Sequence, residues 1–149
     1  MILPFKTNYL YHKVNRETKN MVTIMRESTV KILDDKDIEF VETLRSLGVP
    51  RNVATLITFL ANVDEASSRE IEMGSDLRQP EVSIAMRTLR DNQWIEEKEI
   101  KREGKGRPMK VYSLRASIDT IIKHFEDEKL HESAQAMESI QRLKQLISI

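Results

Sequence analysis

The sequence predicts a mainly α fold with a small β-hairpin (α+β), in which the hairpin follows a cluster of short helices and a long helix closes the chain. Three observations predict it. An amphipathic stretch opens at Pro80, two strand-like runs flank a basic turn at 103–108, and apolar residues recur at helical spacing from Ile118 to Ile147.

Proline is tolerated at the first helical position, where its missing N–H has no partner to lose and its fixed φ suits the helix. From Pro80 onward Val82, Ala85, Met86 and Leu89 fall at offsets of three, four and seven and line one face. Ser83, Ile84, Arg87 and Asp91 fall opposite, with Arg90 at the edge. Ahead of this helix, Ser67-Ser68-Arg69-Glu70 fits a capping box, with a hydroxyl at the N-cap and a glutamate three residues on. It opens a short helix expected to turn Ile71, with Met73 or Gly74, inward. Ser75 to Gln79 make the turn, with Asp76 where a left-handed residue is often needed. Short helix, turn and second amphipathic helix make a helix-turn-helix, which lays its second helix in a DNA major groove.

Behind that helix, Trp94 to Arg102 read as a loosely alternating strand and Met109 to Leu114 as a strictly alternating return strand. A hairpin so placed is the wing of a winged helix. Gly104 and Gly106 would let its tip take positive φ and approach a phosphate, while Lys105, Arg107 and Lys110 supply charge.

The run from Ser67 to Leu114 resembles the winged-helix domain of the MarR-like and TrmB-like transcriptional regulators of archaea and bacteria. The matching marks are Arg69-Glu70-Ile71, Leu77-Arg78-Gln79-Pro80-Glu81-Val82-Ser83, Met86-Arg87-Thr88-Leu89-Arg90, Trp94-Ile95 and Gly106-Arg107-Pro108-Met109-Lys110-Val111-Tyr112-Ser113-Leu114. The resemblance implies sequence-specific binding to double-stranded DNA by a homodimer, often under the control of a small-molecule effector, whose identity no residue here names. Two positions depart from the pattern. Such sequences often carry a polar or basic residue where this one has Ile84, and a glycine where it has Gln93. Ile84 either touches a thymine methyl or marks a helix that reads DNA weakly.

With 149 residues, 40% of them apolar and 32% charged, the chain has the length of one domain with an added oligomerisation element. The absence of cysteine excludes disulfides and thiolate chemistry and fits a cytoplasmic protein. No apolar run approaches a membrane span, and Met1 to Phe5 are too short for a signal peptide. The formal net charge is zero, but it is unevenly spread. Residues 78–115 carry ten basic against six acidic side chains, and residues 37–77 carry three against eight. Phosphates respond to the local field, so neutrality overall does not argue against nucleic acid.

Residues 1–36 form an N-terminal arm, with Tyr9, Tyr11, Lys6, Lys13, Arg16 and Lys19 as candidate contacts to DNA or to a partner subunit. A loose tail, or an overlong start with Met21 as initiator, explains them as well. Val22 to Met25 and Thr29 to Leu33 read as short extended pieces. Residues 37–115 form the winged helix-turn-helix. There Asp37 is the expected N-cap of a helix that faces Ile38, Val41, Leu44 and Leu47 inward and ends at Gly48. Pro50 restarts a helix in which Val53, Leu56, Ile57, Leu60 and Ala61 face the core.

Residues 116–149 form the last element, with Ser117 as a cap. A helix of about thirty residues would be roughly 45 Å long, more than this core covers. Its exposed apolar face is expected to meet a second copy through Ile118, Ile121, Ile122, Phe125, Met137, Ile140, Leu143 and Ile147. A hairpin folding back over the N-terminal region is the alternative. Because Glu126 to Lys129 are all charged, the stripe is expected to change face or the helix to bend near His131.

Catalysis finds no support. His12, His124 and His131 lack zinc-motif spacing, and no phosphate loop, nucleophile elbow or acidic pair is present. Asp34 to Asp37 read as the start of a helix rather than a metal site, and no cofactor is expected. The expected function is a sequence-specific, double-stranded DNA-binding regulator, not an enzyme. Its recognition helix, about 80–93, would use Arg78, Gln79, Ser83, Ile84, Arg87 and Arg90 in the major groove. Its wing, about 95–114, would use Lys105, Arg107 and Lys110 on the backbone or minor groove. A non-specific architectural DNA-binding protein and a winged-helix protein-interaction subunit of the transcription machinery are the alternatives.

Overall fold

The computed structural model describes residues 32–101, 104 and 106–148. The N-terminal arm up to residue 31, the proposed extended piece at 22–25 and most of that at 29–33, and Lys105 lie outside the described residues. The chain divides after Ala116 into two compact units.

The first unit opens with α1, Asp35–Ser46, and α2, Arg51–Ala61. The N-cap of α1 is Asp34, not Asp37 as expected. Asp34 Oδ1 accepts from the Asp37 N–H, and Asp37 Oδ2 accepts in return from the Asp34 N–H, both at 2.9 Å. Asp37 therefore stands three residues inside the helix as the reciprocal half of a capping box. It is buried, and its Oδ1 also accepts from Asn62 Nδ2 at 3.0 Å. Val41 and Leu44 face inward as expected, whereas Ile38 and Leu47 are exposed. The buried row runs through Asp37, Val41 and Leu44, at spacings of four and three, and Ile38 sits one helical step off it.

Helix α2 is buried from Val53 through Ala61, on every side rather than along one stripe. A helix apolar all round belongs at the centre of a core. Its polar side chains are satisfied inside it or close by. The Thr55 and Thr58 hydroxyls donate to the carbonyls of Arg51 and Ala54, at 2.7 and 2.8 Å. Asn62 Nδ2 donates to the Thr58 carbonyl as well as to Asp37.

A short strand β1, Ala66–Ser67, leads into α3, Ser68–Ser75, and then α4, Gln79–Asp91. The capping box at Ser67 and Glu70 forms as the spacing predicts. Ile71 and Gly74 turn inward, and Met73, at 54% exposure, does not. Asp76 takes the left-handed conformation, φ 56°, and makes the turn. Val82, Ala85, Met86 and Leu89 are all buried, so α4 is held by the face its period predicts. Burial of such side chains contributes roughly 1.5–3 kcal/mol each before conformational entropy is counted.

Strands β2, Ile95–Ile100, and β3, Met109–Leu114, form the hairpin. The three strands are antiparallel in the order β1–β3–β2, so β2 is an edge strand. Helix-turn-helix, hairpin and supporting helices together make the winged-helix arrangement. One expectation for the hairpin tip needs correcting, because only Gly104, at φ 109°, takes positive φ and Gly106 does not.

The second unit is α5, Ile118–Ile147, one continuous helix of 30 residues capped by Ser117, whose hydroxyl accepts from the Thr120 N–H at 3.2 Å. The expected change of face does not occur. Ile118, Ile122, Phe125, Lys129, Ser133, Ala136, Ile140, Leu143 and Ile147 follow in steps of three and four. These steps average about 3.6 residues, the period of a straight helix, so the row stays on one side. Lys129 is the charged member of that row; the rest of the Glu126 to Lys129 run projects elsewhere. Ile121 is buried, and Ile118 and Phe125 are half-buried. The exposed apolar residues are Ile122, Leu130, Met137, Ile140, Leu143, Leu146 and Ile147. No helix among the described residues is long and apolar enough to cross a membrane.

Candidate nucleic-acid interface

The inward stripe of α4 fixes what its other side presents. Arg78, Gln79, Ser83, Ile84, Arg87 and Arg90 are all exposed. Arg78 is the N-cap residue, and its N–H donates to Glu81 Oε2 at 2.8 Å. Gln79 Nε2 donates to Ser83 Oγ at 3.0 Å, one turn along the same flank. Ile84 is 58% exposed, an apolar side chain among the polar ones of this surface. Arg87 makes no ion pair with another described residue. Asp91, in the last turn of the same surface, is exposed and opposes phosphate.

Sequence reasoning missed one element of this surface. Asn52, in the first turn of α2, donates through Nδ2 to the Glu81 carbonyl at 3.2 Å, and Arg51 lies 3.9 Å from the Glu81 carboxylate. The start of α2 is thereby set against the start of α4, and Arg51 joins the cationic rim of the recognition helix. Nothing local to residues 50–52 signals this, because the partner is 30 residues further along the chain.

In the hairpin, Arg107 is exposed and forms no ion pair with another described residue. Lys110 is paired within the hairpin. Its Nζ lies 3.5 Å from Glu97 Oε1 on the neighbouring strand. The register places Glu97 opposite Tyr112 and Glu99 opposite Lys110, so all four side chains share one face. The Tyr112 phenol is raised above its ordinary pKa, first by burial and then by the Glu97 carboxylate it is bonded to. Lys110 and Arg90 act in the opposite direction. Arg90 is thus close enough to be felt by the hairpin, which links the last turns of α4 to the wing. Glu96, Glu97 and Glu99 make the exposed edge strand acidic, a distribution that a count over 78–115 conceals.

The end of α4 sets where the hairpin begins. Gln93, at φ 60°, is left-handed; its N–H donates to the Arg90 carbonyl and the Trp94 N–H to that of Leu89, both at 2.9 Å. This pattern is a Schellman motif, usually completed by glycine. The buried Trp94 then accepts through its carbonyl from Arg115 at 2.7 Å, which closes the base of the hairpin.

No family model matches the chain, and no curated protein is similar to it. Among solved structures it is similar to a MarR family regulator from Neisseria meningitidis, at 14% identity and a TM-score of 0.41, over 90% of this chain and 95% of that one.

Proposed function

We propose that this chain is a sequence-specific, double-stranded DNA-binding transcriptional regulator that acts as a homodimer. The observation that carries the reading is the outer surface of α4. Gln79, Ser83, Ile84, Arg87 and Arg90 stand clear of packing on a helix whose opposite face is fully buried, beside a hairpin whose tip bears Arg107. Such a helix enters the major groove with side chains already positioned, while the wing meets backbone or minor groove. Arg51 and Arg78 at the entry end would contact phosphate.

The homodimer reading is supported by α5. Its exposed row of Ile122, Ile140, Leu143 and Ile147, with Met137 beside it, leaves apolar surface along one side of a long helix. A second copy offers the same row, and a two-fold axis between them would present two recognition helices to two half-sites.

The test is binding of the purified protein to fragments of its own genome against random duplex, over a salt series. A regulator enriches a two-fold symmetric site that survives at salt where random DNA is released. Equal binding to both is the result for an architectural protein. The acidic edge strand β2 and the Lys110–Glu97 pair favour a second reading, a protein-interaction module, which would bind neither.

A further inference from the structure

The surface of α4 carries two groups that select bases by more than charge. A glutamine amide has two N–H donors and one carbonyl acceptor. Gln79 gives one N–H to Ser83 Oγ at 3.0 Å, which leaves one N–H and the carbonyl. That remaining pair matches the N7 acceptor and N6 donor of adenine in the major groove. Guanine presents acceptors at both places, so the carbonyl would face another oxygen. With Ser83 Oγ as acceptor, the amide presents its remaining N–H and its carbonyl together.

Ile84 follows Ser83 on the outer side of α4 and is 58% exposed. The group in the major groove that rewards an apolar side chain is the 5-methyl of thymine. Five residues separate Gln79 from Ile84, about 7.5 Å along the helix axis and about 140° around it, so the two side chains meet different base pairs.

We infer that Ser83 is a positioning residue that holds Gln79 to read adenine, and that Ile84 reads a thymine methyl at another base pair, so that each half-site carries this adenine and this thymine. The inference rests on the DNA-binding reading above.

The experiment selects sites from random duplex with the full-length chain, then replaces the thymine by deoxyuridine, which removes only the methyl. The wild type loses about fourfold in affinity on that replacement, the equivalent of one buried methyl group. Ile84→Ala no longer distinguishes thymine from uracil. Ser83→Ala and Gln79→Ala lower the preference for adenine over guanine by about tenfold, relative to each protein's affinity for random duplex. Ser83→Thr, which keeps the hydroxyl, retains the preference. An enriched site indifferent to uracil, or an adenine preference untouched by Ser83→Ala, overturns this inference and leaves the regulator reading standing. Selection that enriches no site overturns both.

Discussion

Lys110 Nζ lies 3.5 Å from the Glu97 carboxylate, across the two strands of the wing. The lysine that sequence alone would assign to phosphate is already engaged by a carboxylate that would itself repel phosphate. Glu97→Gln is therefore expected to strengthen binding to any duplex by roughly 0.5–1 kcal/mol, the scale of an exposed ion pair. Lys110→Ala should weaken it less than Arg107→Ala does. Titrations on random duplex at low salt check both; an unchanged affinity for Glu97→Gln would show that this face points away from DNA.

The same carboxylate acts on Tyr112, whose pKa is raised by burial and by Glu97. A raised phenol holds its proton in the folded state after the unfolded chain, near pH 10, has lost it. This contribution to stability is complete below the unfolded value and falls away as the pH climbs through the folded one. A spectrophotometric titration of phenolate should lose a component above the ordinary tyrosine range in Tyr112→Phe. In Glu97→Gln that component should move downward. Loss of a component at or below the ordinary range would contradict the assignment.

Two helices of the first unit end in the same way with different residues. Gly48 closes α1 at φ 92°, its N–H on the Arg45 carbonyl at 2.9 Å and that of Val49 on Leu44 at 3.3 Å. Gln93 does the same for α4 at φ 60°. A side chain in the left-handed region costs about 1–2 kcal/mol, partly offset for glycine by its greater chain entropy. Gln93→Gly is expected to stabilise the fold by about 0.5–1 kcal/mol in chemical denaturation, and Gln93→Ala should not. Equal effects of the two would show that the side chain, not the backbone, sets the energy at this position.

The row along α5 predicts the oligomeric state. Leu143 is 60% exposed in the single chain, and Leu143→Glu would place a carboxylate in the seam between two copies. Sedimentation should show dimer association weakened by roughly a hundredfold, while the thermal transition of the first unit remains. A wild-type chain that sediments as a monomer, or a variant that dimerises equally well, would remove α5 from the interface.

The parts that could be read from sequence are those set by local chemistry. Pro80, the three-and-four spacing of Val82, Ala85, Met86 and Leu89, and the Ser67 and Glu70 capping box each need only their immediate neighbours, and each appears as expected. The error at the start of α1 is of the same local kind. Asp34 and Asp37 stand three apart like Ser67 and Glu70, and either aspartate fits the N-cap by residue type alone. Exposure of Ile38, Leu47 and Met73 depends on which neighbours arrive from elsewhere, which periodicity does not specify. The pairing of Lys110 with Glu97, and of Arg51 and Asn52 with Glu81, depends on strand register and helix docking over long separations. Gln93 takes the left-handed conformation that glycine adopts most readily, which no local signal other than the end of the apolar stripe indicates.

The central claim is that the outer surface of α4 reads base sequence while the wing holds backbone. The measurement that tests it most directly is a paired titration of wild type, Arg87→Ala and Arg107→Ala on a selected site and on random duplex, at several salt concentrations. The account predicts that Arg87→Ala loses roughly 1–3 kcal/mol on the selected site and far less on random DNA. It also predicts that Arg107→Ala weakens both alike and lowers the salt slope by about one. Equal losses for Arg87→Ala on the two duplexes, or no loss on either, would contradict it.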